Sequence, residues 1–185
     1  SARIDQVNMG IEAGGRIATH LFNAMPALGH RNPGPVGAFL SHDQTYIELI
    51  ADLEHVHPSV LKLTVRSAGV DRTILITDCM CAAGCAPGLY QLGNLDVEVG
   101  ENRANLFGTN TLAGSVLTLH KAVSNIVEGN IATLAEAVTM ASTSSARALT
   151  LDEIGVIETG KQADLVILNP DMSLQSVMRK GTTVV

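Results

Sequence analysis

The chain has 185 residues, 46% of them hydrophobic and 16% charged, which is enough apolar material for one folded core. Twelve Lys and Arg against eighteen Asp and Glu leave a net charge of -6, and there are only two Tyr, three Phe and no Trp. This composition argues against nucleic-acid binding, which needs phosphate-neutralising cations and stacking aromatics. No apolar run approaches the roughly 18 residues of a membrane helix.

In chain order, Ile4, Val7 and Ile11 recur at helical spacing and lead to Gly14-Gly15, a pair suited to ending a helix. Ile17 to His20 reads as a short strand. Leu21 to Pro35 is a structured loop rich in Gly, Pro and Asn, followed by a helical turn at Gly37 to Leu40. Tyr46 to Ala51 is a strand, and Pro58 opens a helix that Gly69 closes. Thr73 to Thr77 is apolar and β-branched throughout, as expected of a parallel strand buried on both faces. Strand, helix and strand thus alternate at βαβ spacing. Beyond Asp78, a small hairpin is expected within a Gly-rich insertion at about 90–108. Helices follow at about Val116 to Val127, Leu134 to Ala141 and Ser144 to Leu149, and then strands at Ala163 to Leu168 and Leu174 to Met178.

The opening Ser1-Ala2-Arg3-Ile4-Asp5-Gln6 does not read as a signal peptide, so a soluble, cytoplasmic protein is expected. Cys79, Cys81 and Cys85 are too close together for a disulfide framework or a four-ligand zinc site and are expected to be small apolar residues of one tight loop. His20, His55 and Asp78 each fall at or just past the carboxyl end of a predicted strand, the edge where catalytic groups converge in parallel α/β folds. Taken singly, each has a plainer use. His20 could bond to backbone, Asp78 could cap the following segment, and His55 could be a satisfied polar residue packed by Pro58.

Several runs together resemble one family. Thr19-His20-Leu21-Phe22-Asn23-Ala24-Met25, Arg31-Asn32-Pro33-Gly34, His55-Val56-His57-Pro58, Thr77-Asp78 and Thr111-Leu112-Ala113-Gly114-Ser115 are similar to the N-acetylglucosamine-6-phosphate deacetylases of the amidohydrolase superfamily. The tail from Gly155 to Leu168 resembles the closing segment of many amidohydrolases.

The resemblance implies an α/β fold in which residues 1–150 are the C-terminal part of a TIM-like (β/α)8 barrel and 151–185 are strands of a small β-sandwich. It also implies metal-dependent removal of acetate from N-acetyl-D-glucosamine 6-phosphate. Within it, His20 matches a metal-ligating histidine, for zinc ahead of iron. Asp78 matches the carboxylate that takes a proton from the hydrolytic water and passes it to the leaving amine. Asn23, Ala24, Arg31, His55, Leu112, Ala113 and Gly114 match substrate-contacting positions, Arg31 toward phosphate and across the interface of a homodimer. A solvated loop arginine is the plainer use of Arg31. The amides around Gly114 could serve a ligand or start a helix. His30, His42, His57 and His120 are read as structural or surface residues.

The chain departs from the family pattern in two ways. Leu53 and Glu54 precede His55 where the family has a glycine and an apolar residue, which is expected to shift that loop. The family's glutamate and second histidine for the metal are absent, so the remaining ligands are expected upstream of residue 1, with this chain inactive alone. The alternatives are another deacetylase or aminoacylase of the superfamily, or a non-catalytic phosphosugar-binding module.

Overall fold

The computed structural model describes residues 3–185, and the part of the opening segment formed by Ser1 and Ala2 lies outside them. Among the described residues there are three three-stranded sheets and six α-helices.

The first sheet is parallel, in the order β1 (Ile17–Ala18), β2 (Tyr46–Ile50), β3 (Thr73–Ile76). Ala18 pairs with Ile47 and Ile50 with Ile76. The helices α2 (Gly34–Leu40) and α3 (Pro58–Ala68) lie in the two crossovers, as parallel pairing requires. Each helix end has a local cause. Pro35 pre-sets the first turn of α2, and Pro58 does so for α3, whose first turn His57 caps by accepting the Ser59 N–H at 3.2 Å. Gly69, at φ 78°, ends α3 in a conformation an L side chain rarely takes.

Both faces of this sheet are covered, which explains its continuous apolar strands. Ile47, Leu49, Ile50 and Leu75 pack with Leu61 and Val65 of α3 and with Val123, Ile126 and Met140 from α4 (Leu119–Glu128) and α5 (Leu134–Ala141). Tyr46 and Ile74 pack against Ala148 of α6 (Thr143–Ala148). Each fully buried aliphatic side chain contributes about 1.5–3 kcal/mol, so the cluster of Ile47, Leu49, Ile50, Leu61, Leu75 and Ile126 dominates the stability of this layer. Helix α1 (Ile4–Glu12) buries Val7. At α5, Thr133 caps the start while Glu136 reaches back to the Thr133 N–H at 2.7 Å.

Two expectations are corrected here. The insertion is a three-stranded antiparallel sheet, β4 (Gly88–Leu92), β5 (Leu95–Val99) and β6 (Ala104–Leu106), because Val97 and Val99 bury against Met80, Ala82, Ala104 and Ala113 and draw in a third strand. Helix α4 starts at Leu119 after Thr118 and not near 116, because Ser115 is committed to a parallel bridge with Cys79. The tail forms an antiparallel sheet of β7 (Leu165–Leu168), β8 (Leu174–Arg179) and the short β9 (Thr182–Thr183). No helix among the described residues is long and apolar enough to cross a membrane.

Candidate active site

The carboxyl ends of the three parallel strands carry equivalent residues. His20, Asp52 and Asp78 each stand two positions past the last residue of β1, β2 and β3. Left-handed non-glycine backbone marks all three exits: His20 at φ 37°, Leu53 at φ 70° and Asp78 at φ 48°. Such conformations cost free energy and persist where surrounding structure imposes them, which is common at functional sites.

After β1 the chain stays beside β2, since the Leu21 N–H donates to the Glu48 carbonyl at 2.8 Å. Asn23 ties the turn by donating from Nδ2 to the His20 carbonyl at 3.2 Å, while Ala24, at φ 54°, is exposed. The Nδ1 atom of His20 is buried and has no hydrogen-bond partner among the described residues. A histidine satisfied by backbone would not leave that atom orphaned.

Two carboxylates in this region go unnoticed in a reading of the sequence for motifs. Glu48 is half-buried in the middle of β2. Burial pushes its carboxyl above the ordinary range, with Asp78's charge adding to the rise, while the backbone N–H and imidazole of His20 pull it down. His20 and Asp78 thus both lie near enough to bear on the Glu48 carboxyl. The available signal was a single acid inside an otherwise apolar strand, Tyr46-Ile47-Glu48-Leu49-Ile50.

Asp52 is the second. Its Oδ1 accepts the backbone N–H groups of Glu54 and His55 at 3.0 and 2.9 Å, and its Oδ2 lies 2.6 Å from His55 Nδ1. Burial alone would raise the Asp52 carboxyl, but the His55 ring and these amides hold it below the ordinary range. The signal was an acid three residues before His55, in phase with Asp78 at the next strand end. Leu53, expected to shift this loop, instead keeps a left-handed turn of the kind glycine favours, because the Asp52 bonds close it on either side.

Asp78 is exposed, and its side chain makes no hydrogen bond among the described residues, which sets aside the capping alternative. Its carbonyl accepts the Ser115 N–H at 2.9 Å. Gly114, at φ 64°, passes so close that a Cβ there would lie 3.1 Å from the Asp78 carbonyl oxygen. With α4 beginning at Leu119, Gly114 starts no helix; what it provides is this close approach. Leu112 bridges Asn105 and the Ala113 N–H donates to the Ala104 carbonyl at 3.0 Å, so this run joins the insertion to the parallel sheet.

Arg31 sits exposed on the loop between β1 and α2 with no ion pair among the described residues. The three cysteines are free and all exposed, which corrects the expectation of packed apolar residues: β4 to β6 take up the core on that side and leave the Cys79–Cys85 loop outside.

His20 fits one position of a metal's ligand set, through its buried and unpartnered ring. Among the described residues, however, no group of three or more His, Cys, Asp or Glu is disposed to hold a metal ion, so the set is not complete within them.

Comparison with known proteins adds to this geometry. The chain is 38% identical over 180 residues to the N-acetylglucosamine-6-phosphate deacetylase of Lysinibacillus sphaericus, covering 97% of this chain and 46% of that protein. It is 41% identical over 165 residues to a putative N-acetylgalactosamine-6-phosphate deacetylase of Escherichia coli strain K12, covering 88% of this chain and 96% of that protein. The structure of a point mutant of the Mycobacterium smegmatis N-acetyl-D-glucosamine-6-phosphate deacetylase, in complex with N-acetyl-D-glucosamine-6-phosphate, superposes with a TM-score of 0.91 at 36% identity over 98% of this chain and 49% of that one. The chain spans about half the length of several curated relatives it matches. The family model described as the amidohydrolase family matches residues 7–184, and the chain belongs to that family.

Proposed function

We propose that this chain carries the C-terminal part of a (β/α) barrel hydrolase, residues 1–150, with strands 151–185 belonging to a small β-sandwich, and that the protein removes acetate from N-acetyl-D-glucosamine 6-phosphate. The observation that carries the reading is the placement of His20 and Asp78 two positions past β1 and β3 at the carboxyl edge of a parallel sheet, with the half-buried Glu48 of β2 near both and the Asp78 side chain exposed and free of hydrogen bonds among the described residues. The similarity to phosphosugar deacetylases over nearly the whole chain supports the choice of substrate.

In this reading Asp78 accepts a proton from the attacking water as its oxygen adds to the acetamide carbon. It returns that proton to the nitrogen as the C–N bond breaks, which yields acetate and the free amine. A divalent metal, zinc or iron, supplies Lewis-acid activation of the amide when bound, and His20 is the ligand this chain contributes, the others lying outside the described residues. Arg31 presents a planar, unpaired guanidinium suited to the phosphate, reached across the interface of a cytoplasmic homodimer. Asn23, Ala24, His55 and the Leu112-Ala113-Gly114 run line the sugar.

A second reading, the galactosamine epimer as substrate, is favoured by the putative N-acetylgalactosamine-6-phosphate deacetylase at 41% identity. Steady-state hydrolysis by the metal-loaded protein, as its gene encodes it, separates the two. The expected order of kcat/KM is the glucosamine phosphosugar, then its epimer, then the unphosphorylated sugar, with Arg31→Ala removing the advantage of phosphate. Preference for the epimer selects the second reading, and equal rates without phosphate overturn both.

A further inference from the structure

We propose that Asp52 is a positioning residue that fixes the tautomer and ring orientation of His55, so that Nε2 is the nitrogen offered to the substrate. The proposal rests on the reading of His55 as a substrate contact.

The two carboxylate oxygens of Asp52 have separate duties. Oδ1 is committed to the turn, where it accepts the Glu54 and His55 amides at 3.0 and 2.9 Å. Oδ2 faces His55 Nδ1 at 2.6 Å. The side chains are 5% and 7% exposed, so water does not compete for this contact. An ionised carboxylate only accepts hydrogen bonds, so Nδ1 must carry the proton it shares with Oδ2. Three donors converge on Asp52, and its lowered pKa agrees with the ionised form. Nε2 has no hydrogen-bond partner among the described residues and is not among the buried unpaired atoms. It is therefore the ring nitrogen left to meet a ligand, accepting from a sugar hydroxyl when the ring is neutral and donating to an anionic oxygen when it is protonated. A ring held at one nitrogen by a buried acid loses the freedom to flip, and the free nitrogen is aimed before substrate arrives.

The division of labour makes the conservative substitution decisive. In Asp52→Asn the amide oxygen can keep both turn bonds only by placing its NH2 where Oδ2 stood. That NH2 donates to Nδ1, so the proton must move to Nε2. Asp52→Ser keeps an oxygen for the turn and leaves nothing at Nδ1.

The experiment compares the wild-type protein with both variants by imidazole nitrogen NMR and by steady-state kinetics on the phosphosugar, and repeats Asp52→Asn in a His55→Ala background. The expected result is an Nδ1–H tautomer in the wild type, Nε2–H in Asp52→Asn and a mixture in Asp52→Ser. The loss in kcat/KM should be about 10- to 100-fold, carried mainly by KM, and should vanish when His55 is already absent. The same tautomer in all three proteins, an altered tautomer with unchanged KM, or an undiminished effect in the His55→Ala background overturns the role of Asp52. None of these touches the deacetylase reading, which wild-type turnover tests in the same assay. If wild-type turnover is absent, that reading fails, and the tautomer in the three proteins still decides for or against Asp52.

Discussion

The backbone N–H of Ser115 donates to the carbonyl oxygen of Asp78 at 2.9 Å, and the Met80 N–H returns the contact to the Ser115 carbonyl at the same distance. The Ser115 hydroxyl also donates to the Thr77 carbonyl. The segment after the antiparallel insertion is thus stitched to the turn that presents the proposed acid/base, and Gly114 stands where the two backbones come closest.

Gly114→Ala should disturb that turn. The new methyl would press on the Asp78 carbonyl oxygen at 3.1 Å, and alanine would have to adopt φ 64°. Strained positions of this kind cost about 1–3 kcal/mol. A urea midpoint lowered accordingly, together with reduced kcat, is expected, whereas full stability and full turnover would show that the close approach has no consequence.

Asp78→Asn removes the proton acceptor while keeping size and exposure. General acid–base catalysis by one positioned group is worth about 100- to 10,000-fold, so kcat on the phosphosugar should fall within that range while KM changes little. Turnover equal to wild type would exclude Asp78 from the proton transfers.

Leu53→Gly should stabilise the chain. A leucine at φ 70° carries left-handed strain of about 1–2 kcal/mol, which glycine relieves at the cost of its greater freedom in the unfolded state. Leu53 is 39% exposed, so little burial is lost. An unfolding free energy higher by about 0.5–1 kcal/mol is expected in denaturant titration, and a decrease would mean that the leucine's contacts outweigh its strain.

Asp52 should make the fold sensitive to acid. Its carboxyl is lowered in the folded chain, so the unfolded chain binds more protons as pH falls toward the ordinary aspartate pKa of about 4. The stability it contributes is present above that pH and is lost as pH falls from there through the lower folded value. Asp52→Asn should flatten this part of the stability curve between neutral and acidic pH. The same acid slope in both proteins would assign it to other carboxylates.

Much of the architecture was legible in the order of residues. Pro58 and Gly69 bracket α3 as read, the β-branched run at Thr73 gives β3, and Leu134 to Ala141 is α5 to the residue. These features are encoded within one turn or one strand, where φ restrictions, capping and apolar spacing act locally. The misreadings arose where partners distant in sequence intervened. β6 was missed because it is held by pairing with β5, and the start of α4 was displaced because Ser115 pairs with Cys79.

For the candidate site the division is similar. Sequence alone determined that His20 and Asp78 stand just past β1 and β3, since strand length and spacing follow from the apolar pattern, whereas after β2 the equivalent place belongs to Asp52 and His55 lies three residues farther along the loop. Asp52 was within reach, being only three residues from His55, but its significance depends on which carboxylate oxygen meets which donor. Only the tertiary structure decided that Glu48 shares its surroundings with His20 and Asp78, that the His20 ring keeps a buried unpartnered nitrogen, and that Gly114 abuts Asp78. The physical reason is that those relations are set by the register of strands tens of residues apart, and register is chosen by the packing of both sheet faces at once, which no local pattern of residues contains.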